Sequence, residues 1–125
     1  MPWKNKREDI IKGGFSTPLD APMIPSFPFT FRKCNIFTLV YRTDPEAIRA
    51  LLPEPLVPTG DEVMIHLYQM NDTDWLGPYN EANVMFGAEL PGRAVGSYSA
   101  YLFLSSDVGV THGREIHGQP KKFGK

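Results

Sequence analysis

The chain has 125 residues, 42% hydrophobic and 22% charged, with 13 basic and 14 acidic residues and a formal charge of −1. A chain of this length carries one domain at most, and this composition is that of a soluble globular protein rather than a disordered one. The near-balanced charge and a pI near 6.3 leave no electrostatic footprint for nucleic acid or an anionic membrane, so neither is an expected partner.

Residues 1–15 read as an N-terminal extension to a single domain. Met1 to Asp9 contain no apolar run and therefore no secretory signal. No stretch of 18 apolar residues occurs anywhere, which removes a membrane-spanning helix. The single cysteine, Cys34, has no internal disulfide partner, as expected in a reducing compartment, and the cytoplasm is the expected location. Residues 5–12, with Lys6, Arg7, Glu8, Asp9, Ile10 and Ile11, predict a short helix ended by Gly13 and Gly14. Pro18, Pro22, Pro25 and Pro28 then punctuate a stretch that can cover a surface but not join a sheet interior.

From Thr30 to Tyr41 the β-branched and aromatic residues Phe31, Ile36, Phe37, Thr38, Val40 and Tyr41 predict a strand. Thr43-Asp44-Pro45-Glu46 signals a helix start, with Thr43 or Asp44 as cap and proline in the first turn. Ile48, Leu51 and Leu52 give that helix one apolar face, and Pro53 and Pro55 stop it. Residues 63–70 alternate as a strand with few polar positions, consistent with cover on both faces. A loop follows over 71–78, rich in Asp, Gly and Pro. A strand over 79–90 places Glu81, Asn83 and Met85 on the face opposite Ala82, Val84 and Phe86. Pro91-Gly92 makes a turn, and Tyr98 to Leu104 forms a further strand. The fold class predicted is mainly β (α+β), an antiparallel meander with helical punctuation and no internal repeat or linker.

The most informative segment is the last, Gly113-Arg114-Glu115-Ile116-His117-Gly118-Gln119-Pro120-Lys121-Lys122-Phe123-Gly124, which reads as a short polar turn followed by a lysine pair. A lysine attacks carbonyls only when neutral, and at a reference pKa of roughly 10.4 only about one in two thousand is neutral at pH 7. Desolvation or a neighbouring cation lowers that barrier, each pKa unit being about 1.4 kcal/mol. If the pair is extended, the two side chains point to opposite faces, so burial rather than mutual repulsion is the expected activator. Taken alone, two adjacent lysines are a solvated basic pair.

Other constellations are weaker. His66, His112 and His117 are dispersed and lack a matching acid motif, so no metal site is expected. Cys34, flanked by Arg32 and Lys33, could be a nucleophile only beside a base in an electropositive site, and otherwise is a buried or substrate-lining thiol. No glycine-rich phosphate loop is present.

From Ser16-Thr17-Pro18-Leu19 onward the chain resembles the N-terminal half of the acetoacetate decarboxylase family. The resemblance is carried by Val40-Tyr41-Arg42-Thr43-Asp44, by Leu52-Pro53-Glu54-Pro55-Leu56, by Asp72-Thr73 with Leu76-Gly77-Pro78-Tyr79-Asn80-Glu81, and by Gly113-Arg114-Glu115 through Pro120-Lys121-Lys122-Phe123-Gly124. The last of these is the most specific. The resemblance implies an incomplete β-barrel or cone, a homo-oligomer, a small oxo-acid substrate and no cofactor. It further implies that Lys121 forms a Schiff base, that Lys122 contributes to its pKa or position, and that Glu81 is a pocket acid. Activation of such a lysine by an apolar pocket or a second cation is the established pattern for this family.

Two positions depart from the family. Cys34 stands where an arginine assists the substrate carboxylate, and His66 where a second pocket glutamate is expected, so both become candidate substrate-binding residues. Arg114 and Glu115 are further candidates for substrate contact, against the alternative that they pair or cap the turn. The expected activity is a Schiff-base lyase that decarboxylates acetoacetate or a related oxo acid. The alternatives are a Schiff-base aldolase or dehydratase of the same superfamily, and a noncatalytic binding or oligomerisation module with exposed lysines. The family domain is longer than this chain, which stops four residues after Lys121. The expectation is therefore a chain truncated at its C-terminus, with Lys121 wet unless further sequence or another subunit covers it.

Overall fold

The computed structural model describes residues 6–13, 16–18, 21–24 and 27–125. Helix α1 spans Arg7–Gly13, close to the predicted helix, with Glu8 and Asp9 in its first turn and Lys12 in its last, the arrangement that suits the helix dipole. The predicted Gly14 stop and Pro25 lie outside the described residues. A five-stranded sheet in sequence order follows, built from β1 (Phe31–Arg42), β2 (Val57–Thr73), β3 (Tyr79–Leu90), β4 (Ala94–Leu104) and β5 (Lys121–Phe123). Helix α2 (Pro45–Leu51) joins β1 to β2, and α3 (Asp107–His117) joins β4 to β5.

The first four strands pair antiparallel, as predicted, but β5 runs parallel to β4, so the sheet is mixed and is not closed into a barrel. The reason is α3, in the segment read from the sequence as a polar turn. A parallel neighbour needs a crossover, usually a helix, and α3 supplies it. Ser106 caps the helix by accepting from the Gly109 N–H at 3.1 Å. Gly118 ends it with φ of 63°, a conformation that glycine reaches without a Cβ penalty.

Elsewhere the boundaries move outward. β2 begins at Val57 rather than at residue 63, because a register shift between Pro58 and Val63 lets proline and Gly60 enter the strand without a regular ladder. It also continues to Thr73, because Asp72 and Thr73 still pair with Arg32 and Phe31. α2 is capped by Asp44 rather than Thr43, and the Asp44 side chain accepts from the Glu46 N–H at 2.9 Å.

Two cores form, one on each face of the sheet. On one face Ile48 and Leu52, at the α2 end, pack on Val63, Phe86 and Ala88. On the other, Leu76, Tyr79, Leu102 and Leu104 are buried with Val108 and Val110 of α3 and with Phe29 of the proline-punctuated segment. Full burial of one such side chain stabilises by about 1.5–3 kcal/mol, so the second core is what holds α3 against the sheet. Among the described residues no helix is long and apolar enough to cross a membrane.

Candidate active site

Directly paired residues in neighbouring strands share a face, so the register aligns the chemistry. One row crosses the sheet as Thr38, His66, Asn83, Leu102 and Lys121. The next runs Ile36, Tyr68, Glu81, Leu104 and Phe123, and beyond it Cys34, Met70 and Tyr79 lie in line. Lys121, Glu81, His66 and Cys34 therefore all belong to one face, the face that α3 covers. Lys122 alternates to the other face and is exposed.

Lys121 is 7% exposed. Its Nζ reaches back over β4 to lie 3.2 Å from Glu81 Oε2, and the two side chains are 8% and 10% exposed. The cover expected from further sequence or another subunit comes here from α3 itself. Gly113 is buried, and a Cβ at that position would overlap Lys121 Cδ and Cε and lie 2.9 Å from Cγ. The glycine is thus the socket in which the lysine stem lies. Gly109 does the same for Leu104, whose Cδ2 is 3.0 Å from the position a Cβ would take.

Arg114 ties this arrangement together, its Nη1 donating to the Lys121 carbonyl oxygen at 3.1 Å. The guanidinium is therefore engaged with the β5 backbone, and Glu115 is exposed. His66 Nδ1 lies 2.9 Å from the Tyr68 hydroxyl. Burial, and then the charge of Glu81, push the Tyr68 phenol above its ordinary value. The same causes in the same order, with a further contribution from Cys34, push Tyr79 up more strongly. Both phenols thus stay protonated and available as donors.

Residues that sequence reasoning did not assign to the site also stand here. Asn83 and His112 are each 7% exposed. His112 lies on α3 between the rings of Phe29 and His117, with centroids at 5.2 and 4.8 Å. Burial first, then the charges of His117 and Lys121, lower its pKa from 6.5. The parity of Tyr79, Glu81 and Asn83 along β3 was the available signal for Asn83, whereas nothing in the local pattern signalled His112. Among the described residues no group of three His, Cys, Asp or Glu side chains could hold a metal ion.

A concavity of about 840 Å³ follows the other face through Phe37, Leu67, Ala82 and Phe103. Glu81 and Tyr68 touch it as members of the same strands, but Lys121 does not line it.

Residues 16–125 match the acetoacetate decarboxylase (ADC) family. The chain belongs to the acetoacetate decarboxylase family. It is 39% identical over 115 residues to the acetoacetate decarboxylase of Bordetella avium, covering 92% of this chain and 46% of that protein. With the acetoacetate decarboxylase of Clostridium acetobutylicum it shares 35% over 118 residues, covering 94% of this chain and 48% of the relative. Among solved structures, an acetoacetate decarboxylase superposes with a TM-score of 0.81 at 34% identity, over 96% of this chain and 48% of the other. The acetoacetate decarboxylase of Legionella pneumophila gives 0.76 at 29%, over 98% and 50%. The chain thus spans about half the length of the acetoacetate decarboxylases it matches.

Proposed function

We propose that the protein is a Schiff-base-forming lyase that decarboxylates a small oxo acid, acetoacetate or a relative of it, through Lys121. The observation that carries this reading is the burial of Lys121 in the Gly113 socket with Glu81 as its ion-pair partner, in a family named for that decarboxylation. Lys121 first gives up its ammonium proton to Glu81, 3.2 Å away, the neutral amine attacks the ketone, and loss of water gives an iminium. The electrons released when the bond to carbon dioxide breaks flow to its nitrogen, and protonation and hydrolysis of the enamine release the ketone. Glu81 orients the amine or carries protons to and from it, Lys122 has at most an indirect part, and no cofactor takes part. A cytoplasmic homo-oligomer is the proposed working form.

A second reading within the same chemistry is favoured by one observation. Cys34 and His66, which replace the arginine and glutamate expected from the family resemblance, both belong to the lysine's face. An iminium stabilises an adjacent carbanion whatever group leaves, so the same lysine serves aldol addition or dehydration. Release of carbon dioxide from acetoacetate by the full chain, measured beside turnover of a ketone–aldehyde pair, separates the two. Decarboxylation lost in Lys121→Ala supports the first reading. Turnover of the aldol pair alone replaces it with the second, and no turnover of either by the folded full chain overturns both.

A further inference from the structure

Among the described residues, two buried side-chain polar atoms lack a hydrogen-bond partner, Asn83 Oδ1 and His112 Nε2. Buried polar atoms are nearly always satisfied, so each exception calls for a physical account. Both exceptions flank the same lysine. Asn83 stands in the cross-sheet row that ends at Lys121, and is two residues from Glu81 on the strand that Lys121 Nζ reaches. Along a strand two residues span about 7 Å, so the amide is within one small molecule's length of the ion pair. Its Nδ2 lies 3.2 Å from Met85 Sδ, which leaves the oxygen as the free end. His112 stands on α3, next in sequence to the glycine on which the Lys121 stem rests, and close enough to Lys121 to feel its charge.

We propose that Asn83 Oδ1 and His112 Nε2 form a two-point subsite for the oxygen of the substrate carbon that Lys121 attacks. When Nζ adds to a ketone, the new C–N bond forms and the π electron pair of C=O moves to oxygen. That oxygen takes up the proton the nitrogen gives up, leaving a tetrahedral carbon that carries a hydroxyl group. A hydroxyl both donates and accepts. An amide oxygen only accepts, and a neutral imidazole nitrogen donates or accepts according to tautomer. The pair therefore matches a hydroxyl better than it matches the flat ketone, and it favours the tetrahedral species over the ground state.

His112 is suited to this because it is kept neutral. Its titratable neighbours are Lys121 of β5 and His117 of its own helix, and each disfavours an imidazolium at this position. From the N-terminal segment it meets the Phe27 and Phe29 rings. Neither Asn83 nor His112 carries a formal charge in this state, so the subsite recognises the β-oxygen of an oxo or hydroxy acid rather than its carboxylate.

The inference rests on the Schiff-base reading for its chemistry, but it is tested without it. 3-Hydroxybutyrate carries a tetrahedral C–OH at the relevant carbon and cannot form an iminium. Its affinity for the full chain is measured by calorimetry in the wild type, in Asn83→Leu and in His112→Phe, beside trapping of acetone with borohydride in the wild type. Loss of one neutral hydrogen bond with its acceptor or donor removed weakens binding by about tenfold, so each variant should bind 3-hydroxybutyrate about tenfold more weakly. Asn83→Leu changes a residue of β3 rather than of α3 and serves if His112→Phe unfolds, as monitored by circular dichroism. Unchanged affinity in a folded variant overturns the subsite, as does failure of the wild type to bind. Weakened binding in the variants with no acetone adduct in the wild type leaves the subsite standing and removes the Schiff base.

Discussion

Replacing Glu81 by Gln changes a charge while keeping size and one acceptor oxygen, and so isolates what the ion pair with Lys121 contributes. An exposed pair is worth about 0–1 kcal/mol, because water screens it. This pair is not of that kind, with side-chain exposures of 8% and 10% and a separation of 3.2 Å. Removing one partner of a buried pair leaves an uncompensated charge and costs about 3–5 kcal/mol, a large fraction of a typical domain stability of roughly 5–15 kcal/mol. Glu81→Gln should therefore lower the free energy of unfolding by about 3 kcal/mol. Lys121→Met, which leaves the carboxylate bare, should cost a similar amount. The double variant buries no charge at the pair and should be more stable than the two single losses predict, by about 2 kcal/mol. Urea denaturation followed by circular dichroism on the full chain measures all three. A Glu81→Gln cost below about 1 kcal/mol, with single losses that simply add, would refute the claim that these residues form a buried, coupled pair.

Other consequences follow from the same geometry. Gly113→Ala gains about 1 kcal/mol of helix propensity but drives a methyl group into the Lys121 stem. The net effect should be a destabilisation of about 1–2 kcal/mol, with slower adduct formation at Lys121; urea denaturation and borohydride trapping read the two effects. Lys122→Ala, on the opposite face and in solvent, should leave the trapping rate within about twofold. His112 is held below its ordinary pKa of 6.5, so the unfolded chain binds a proton more readily. Its contribution to stability is complete above about pH 6.5 and is lost as pH falls, by up to about 1.4 kcal/mol per pH unit. The loss in unfolding free energy between pH 7.5 and 5.5 should thus be smaller in His112→Phe than in the wild type. Asp44→Ala should cost about 1 kcal/mol by leaving the first turn of α2 uncapped, measurable in the same denaturation experiment.

Much of the sheet was legible because its signals are local. The alternation from Tyr79 to Leu90 gave β3 its exact limits, and Asp44-Pro45 marked the start of α2. α3 was missed because Gly109, Gly113 and Thr111 are poor helix formers, and a propensity reading takes Gly113 and Gly118 for turn residues. Gly109 and Gly113 are there for contact, with Leu104 and Lys121 respectively, and contact is a tertiary fact. β5 escaped for the same reason, since three residues carry no period and exist as a strand only through β4. At the site, alternation separated Lys121 from Lys122, and the family resemblance singled out Glu81, His66 and Cys34. Their convergence on one face depended on the register of four strand pairs. His112 could not be foreseen without α3.

The central claim is that the amine of Lys121 is the nucleophile. Intact mass of the full chain, measured after borohydride reduction in the presence of acetoacetate and followed by peptide mapping, tests it most directly. The account predicts one stable adduct, located on Lys121 and absent from Lys121→Ala. A folded sample that forms no adduct, or that carries it on Lys122 or another lysine, would contradict it.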